Sequence, residues 1–313
     1  MGVTTQDIFG EASGAVPATE GSYGEAPSGF RLPKETRLGP VSLQVADLAR
    51  SIEFYEEVLG FRTVSGEGSS VVLAARGDHS PIIELREYPG AKPTPVRSRL
   101  GLYHFAILLP DRPSLGRFVK HLAAIGVRAG SSDHLVSEAF YLQDPDNLGI
   151  EVYADRPRNT WMRVGRQLMM ATDPIDINSL VAAADGPWTG MPAGTTIGHV
   201  HLHVGDIATA SAFYSEALGF DRIVWHYPGA LFLSAGGYHH HLGTNTWAGR
   251  APSPAPDEAQ LLGWTVQLPD EAARTALAES LTRAGHAPER NEMGLVTRDP
   301  WGTSIRFTVA PAH

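Results

Sequence analysis

The chain has 313 residues, about twice a common single-domain length, so it is read as two domains or one large double domain. Its 34 acidic against 25 basic residues give a net charge of −9 without long runs of either sign. That excludes a nucleic-acid or anionic-membrane footprint and favours a small or neutral ligand. There is no cysteine, which excludes disulfides, iron–sulfur clusters, thiolate zinc sites and cysteine nucleophiles and leaves imidazole and carboxylate as metal donors.

Residues 1–30 are rich in Gly, Ala, Ser, Pro and Glu; they bury too little to fold alone and are expected to form a flexible N-terminal arm. The start lacks a basic n-region and an apolar h-region, and no apolar run approaches the ~18 residues of a membrane span. The expectation is a soluble cytoplasmic protein. Residues 31–155 form a first half. "LGPVSLQVADLARSIEFYEEVLGF" (Leu38 to Phe61) opens it as a strand, a capping Asp47, a helix and a terminating Gly60. "GLYHFAILLPD" (Gly101 to Asp111) is again a strand leading to a helix, and "YLQDPDNLGIEVY" (Tyr141 to Tyr153) is a turn and a closing strand. The connector, 156–194, carries Arg, Met and Trp at irregular spacing. It reads as a packed linker with a short helix near Ile177 to Ala184, without chemistry.

Residues 195–313 repeat the pattern. "IGHVHLHVGDIATASAFYSEALGF" (Ile197 to Phe220) aligns with the opening segment at an offset of 159, with Gly39/Gly198, Asp47/Asp206, Tyr55/Tyr214 and Gly60/Gly219 among the identities. "LLGWTVQLPD" (Leu261 to Asp270) and "VTRDPWGTSIRFT" (Val296 to Thr308) match the two later segments, the second at an offset of 155. The chain therefore reads as an α+β protein of four βαβββ units, two in each half. In "IGHVHLHV", strand alternation puts His199, His201 and His203 on one side and Val200, Leu202 and Val204 towards a core. Three histidines on one face can be a metal site, a proton-handling site or a wet sheet surface.

Where the copies agree, the shared residue serves the fold; where they differ in a polar direction, chemistry is a candidate. His199 faces Pro40, His201 faces Ser42, His203 faces Gln44, His104 faces Gly263 and Glu151 faces Arg306. "GGYHHHLGTNTW" (Gly236 to Trp247) brings His239, His240 and His241, against a partner segment, Arg76 to Glu87, that keeps only His79. The polar set is thus divided between units two and three. Two histidines and one carboxylate with open positions form the facial arrangement of non-haem Fe(II) oxygenases. The bland readings are a half-buried strand histidine for His199, an exposed charge for Glu151, a core histidine for His104 and a core aromatic for Tyr141. Because residues two apart on a strand lie roughly 6.5–7 Å apart, His199 and His201 with an outside carboxylate form a competing hydrolytic Zn(II) reading. Otherwise His201 and His203 line the site or are solvated. Alternation within His239 to His241 turns His240 away from its neighbours.

"HVHLHVGDI…FYSEALGF", "YHHHLG", "YHFAI" and "FYLQDPDNLGIEVYADRP" resemble motifs of the vicinal-oxygen-chelate superfamily and, within it, of the extradiol ring-cleaving catechol 2,3-dioxygenases, from about Arg31 to Ala310. The resemblance implies two vicinal-oxygen-chelate domains with curved mixed sheets, 31–155 and 195–313. It implies metal ligation by His104, Glu151 and His199, an acid–base role for His240 and a hydrogen bond from Tyr141 to substrate or peroxide oxygen. His134, seven residues before Tyr141 where the family's additional histidine lies nine before, takes that histidine's place. Unit four has Gly263 and Arg306 at the ligand positions, so the metal falls between units two and three, which requires units to pair two-with-three and one-with-four.

The implied cofactor is Fe(II), with Mn(II) compatible, and the partners are a catechol-like aromatic and O₂, giving a muconic semialdehyde. No nucleic acid or membrane partner is expected, and homo-oligomerisation is left open. Within the superfamily, a hydroquinone-cleaving dioxygenase or a glyoxalase-type lyase or isomerase is the alternative. A metal-free sequestering protein is the alternative of another class.

Overall fold

A computed structural model describes residues 3–10, 14–291 and 294–310. Each unit is one strand, one helix and three strands. Unit one has strand Arg37–Val45, a helix Leu48–Glu53 that continues as a π-helical turn Phe54–Val58, and strands Arg62–Glu67, Ser70–Ala74 and Ile83–Glu87. Unit two has strand Gly101–Leu108, helix Arg112–Ala124 and strands Gly130–Asp133, Ser137–Gln143 and Gly149–Asp155. Unit three has strand Thr196–His203, helix Ile207–Ala210 running on as π-helical Ser211–Ala217, and strands Asp221–Val224, Ala230–Ser234 and Leu242–Asn245. Unit four has strand Gln260–Leu268, helix Glu271–Arg283 and strands Glu289–Asn291, Gly294–Arg298 and Ser304–Val309.

The units pair as expected, two with three and one with four. Thr196–His203 lies antiparallel to Gly101–Leu108 at the centre of one eight-stranded sheet, and Gln260–Leu268 antiparallel to Arg37–Val45 at the centre of the other. Within every unit the first and last strands run parallel, so both sheets are mixed. Their apolar faces meet in one core that holds Val41, Leu43 and Val45 with Val200, Leu202 and Val204, all fully buried. Burial of aliphatic side chains at this level, worth about 1.5–3 kcal/mol each, fixes the register: a one-residue slip would turn every one of them to the other face.

The residues shared by the two copies explain themselves. Asp47, Asp111, Asp206 and Asp270 each cap a helix through a backbone N–H three residues on. Gly60 and Gly219 end the π-helical turns with φ of 79° and 97°, and a Cβ on Gly60 would lie 2.6 Å from Gly190 Cα. Tyr55 donates to Asp144 at 3.2 Å, and Tyr214 donates to Asp299 at 2.6 Å. Each aspartate also takes two backbone N–H groups of its own turn. These bonds tie unit one to unit two and unit three to unit four, across the two sheets.

The segment expected to form an arm is seated on the rest of the molecule where it is described; residues 1, 2 and 11–13 of it lie outside the described residues. Helix Thr5–Phe9 is capped by Thr4 and tied through Thr5 to Asp173 at 2.8 and 2.5 Å. Val16–Pro17 pairs with Met162–Val164, which pairs with Gln167–Leu168, in a small three-stranded sheet. Tyr23 donates to Gly237 O at 2.5 Å and Glu25 pairs with Arg222 at 2.7 Å. Besides this backbone pairing and these charge-assisted bonds, Val3, Ile8, Ala18 and Tyr23 pack against an apolar cluster that includes Trp161, Met170 and Tyr227. The connector contains the expected helix, as Ile177–Ala182. Among the described residues no helix is long and apolar enough to cross a membrane.

Candidate active site

The ladder between units two and three builds the site. Tyr141 stands opposite Glu151, Glu151 opposite Ala106, and Ala106 opposite His199, in one row across four strands. His104, two residues before Ala106 on the middle strand, shares its face. The small Ala106 side chain leaves room above it, and the imidazoles of His104 and His199 and the Glu151 carboxylate converge there. His104 Nε2 lies 3.0 Å and His199 Nε2 3.2 Å from the same oxygen, Glu151 Oε2.

All three residues are buried, and one donor atom from each lies within 4.8 Å of the others. Burial pushes His199 down to about 4. Burial alone would raise Glu151, but the His199 and His104 imidazoles outweigh it and hold the carboxyl well below its usual range. Glu151 Oε1 and His104 Nε2, which is close to Oε2 without hydrogen-bond alignment, have no hydrogen-bond partner. Polar atoms buried in this way are costly unless compensated; a cation at the point of convergence compensates them, so the donor set fits a divalent metal.

The cluster opens into a cavity of about 700 Å³ walled by Tyr103, Tyr227, Phe232, Trp247 and Met170. His134, Tyr141 and His240 line it as well, so the structure brings all six expected site residues to one cavity. His240 lies against His199, ring centroids 4.0 Å apart and tilted by 43°, and burial pushes its imidazole well below the ordinary value. His134 Nδ1 donates to Ala171 O at 2.6 Å, which leaves Nε2 of the neutral ring to accept from the Tyr141 hydroxyl at 2.5 Å. Tyr141 therefore offers the cavity a lone pair, where the sequence reading expected a donor. Protonating His134 would reverse that direction.

The neighbouring histidines find other work. His201 and His203 are both buried rather than solvated. The Asn245 amide bridges them, accepting from His203 Nδ1 at 2.6 Å and donating to His201 Nε2 at 3.0 Å. The His201 Nε2 lone pair is thereby occupied, which removes the two-histidine Zn(II) pairing of His199 with His201. Gly243 makes room for this, since a Cβ there would sit 2.8 Å from His201 Cγ. Residues 238–241 lie in a bend outside the strands, and His240 does turn away from its neighbours: it faces the cavity, His239 faces Asp155, and His241 packs against Ser234 and a second cavity.

Sequence reading missed several lining residues. Met170, Ala171 and Thr172 come from the connector, Val3 from the N-terminal segment, and Arg97 from the loop before unit two, where its φ is 50°. The apolar run "LMMA" in an otherwise polar connector is a signal that could have found the first group. At the corresponding place in the other sheet, Arg306 reaches Glu84 at 3.4 Å and Ser42 donates to Glu84, leaving a cavity of about 160 Å³.

A family model described as Glyoxalase/Bleomycin resistance protein/Dioxygenase superfamily matches residues 37–152 and 196–307. The chain is 45% identical over 282 residues to the catechol-2,3-dioxygenase of Bacillus subtilis (strain 168), covering 88% of this chain and 98% of that protein. Among solved structures, a candidate dioxygenase from Bacillus subtilis subsp. subtilis str. 168 superposes with a TM-score of 0.60 at 12% identity, covering 90% of this chain and 87% of that one. Glyoxalase I from Zea mays superposes at 0.53 and 16%, covering 87% and 92%; both structural likenesses show the fold. With four βαβββ units, paired mixed sheets and a full-length relative of this identity, the chain belongs to the Glyoxalase/Bleomycin resistance protein/Dioxygenase superfamily and is an enzyme of the catechol-2,3-dioxygenase type.

Proposed function

We propose that the protein is an extradiol dioxygenase that opens a catechol-type ring beside its two hydroxyls, placing both atoms of O₂ in a muconic semialdehyde. The observation that carries this reading is the convergence of His104, Glu151 and His199 on one point at the floor of an aromatic-walled cavity, in a chain 45% identical to a catechol-2,3-dioxygenase. Those three residues would hold Fe(II), and Mn(II) suits the same donors. The metal, when bound, supplies Lewis acidity and the electron relay between the diol and oxygen.

The protein's own groups do the rest. Tyr103, Phe232 and Trp247 offer a flat ring apolar faces and keep water away. His240, neutral at physiological pH because of its burial, takes a proton from one substrate hydroxyl and later returns it to oxygen as the bond between the oxygen atoms breaks. Tyr141 accepts from the other hydroxyl while donating its own hydrogen bond to His134 Nε2.

Among the described residues Glu151 is the one carboxylate lining the cavity, so a glyoxalase-type lyase, which needs a second metal carboxylate, is poorly served. The test is a yellow ring-fission product from catechol under air with Fe(II)-loaded protein. Glu151→Ala and His199→Ala are each expected to lose bound metal and at least 10²-fold of the activity. Full activity in both variants would overturn the site, and a protein with neither metal nor ring cleavage would overturn the reading.

A further inference from the structure

Ring opening as described uses one histidine of "YHHH" and leaves His239 and Asp155 without a role. His239 is completely buried, and its Nε2 lies 2.8 Å from Asp155 Oδ1. Its other nitrogen, Nδ1, lies 2.7 Å from Nδ1 of His240. Two like nitrogens can share a hydrogen bond only when one bears the proton and the other does not.

The carboxylate decides which. It only accepts, so the proton of His239 sits on Nε2, and a neutral His239 then has a bare Nδ1. With both rings neutral, the proton in the 2.7 Å contact belongs to His240 Nδ1. A neutral imidazole protonated at Nδ1 carries its lone pair on Nε2, and no described residue hydrogen-bonds His240 Nε2, while the ring lines the cavity. The same logic governs any buried imidazole whose tautomer is fixed by the partner of its second nitrogen.

We propose that Asp155 and His239 are positioning residues which, acting in series, select the Nδ1–H tautomer of His240, so that Nε2 meets the substrate hydroxyl as a lone pair. This rests on the base role given to His240 above. Tyr238 shares the same oxygen, donating to Asp155 Oδ1 at 3.1 Å, and Tyr153 meets Tyr238 at 2.6 Å. These bonds hold the carboxylate and contribute nothing to the choice of tautomer.

Long-range ¹H–¹⁵N correlation of histidine-labelled full-length protein carrying diamagnetic Zn(II) reads the tautomer directly, with His240→Asn assigning the signals. The expected pattern for His240 is a protonated Nδ1 and a bare Nε2. Asp155→Ala and His239→Phe are expected to abolish that preference and, in the iron enzyme, to lower kcat about 10²-fold with KM within about twofold. Asp155→Glu should restore both readouts, and Tyr238→Phe should leave the tautomer unchanged. A His240 protonated at Nε2 in the parent, or an unaltered pattern in Asp155→Ala, overturns the proposal even if catechol is cleaved. The expected pattern in a protein that does not cleave catechol would instead overturn the reading of function and leave the tautomer relay standing.

Discussion

Glu151 and its two imidazoles were legible because the chain carries a second copy of the same backbone for comparison. His104 against Gly263, Glu151 against Arg306 and His199 against Pro40 each mark a place where one copy departs from the other. The roles of His201 and His203 were not legible, because the amide that occupies both comes from Asn245 on another strand. His241 is a residue whose burial has a measurable price. Burial, with His239 nearby, pushes it down to about 3, against about 6.5 in an unfolded chain. Between those values the unfolded form binds a proton that the folded form refuses, so stability falls as pH drops from about 6.5 towards 3, at up to ~1.4 kcal/mol per pH unit. His241→Gln is expected to flatten the acid limb of stability by about one proton, with the pH slope above 7 unchanged. Denaturant melts across pH 4 to 8 on metal-free protein would show it; an unchanged slope would contradict it.

At the scale of elements, strands and helices followed from periodicity and caps, and their order of pairing followed from where unit four lacks ligands. What periodicity could not supply was the seating of the N-terminal segment, whose contacts run through backbone pairing with the connector, single polar bonds and a few isolated apolar side chains such as Val3 and Ile8. Nor could it give the purpose of the shared tyrosines. Tyr214→Phe would leave a buried Asp299 oxygen, bonded at 2.6 Å in the native protein, without its partner, an expected loss of roughly 1–3 kcal/mol. Tyr55→Phe, whose bond to Asp144 is 3.2 Å, should cost less. Urea melts of the two variants check both size and order, and equal or negligible losses would show that these bonds do not fasten the units.

For the molecule as a whole, the site joins residues 104 and 151 from one half to residue 199 from the other. Metal binding therefore adds to the stability of the entire fold by mass action, about 2.7 kcal/mol when the free ion stands at 100 times its Kd. Melting temperature should rise on adding Fe(II) under anaerobic conditions or Zn(II) in air, and Glu151→Gln should abolish the rise. Metal-free Glu151→Gln should melt below the metal-free parent, because the neutral amide gives up the attraction to the two imidazoles that holds the carboxyl below its usual range. A parent insensitive to metal would contradict the coupling.

The sheet formed by units one and four is closed by an arginine and a glutamate where its sister gathers two imidazoles and a carboxylate. Both sheets have eight strands and the same antiparallel central seam, one of them with Pro40, Gly263 and Arg306 at the ligand positions. The architecture thus exists in each molecule with and without a metal-binding floor, like an experiment run beside its own blank. Chelation should accordingly silence the chemistry and leave the scaffold standing.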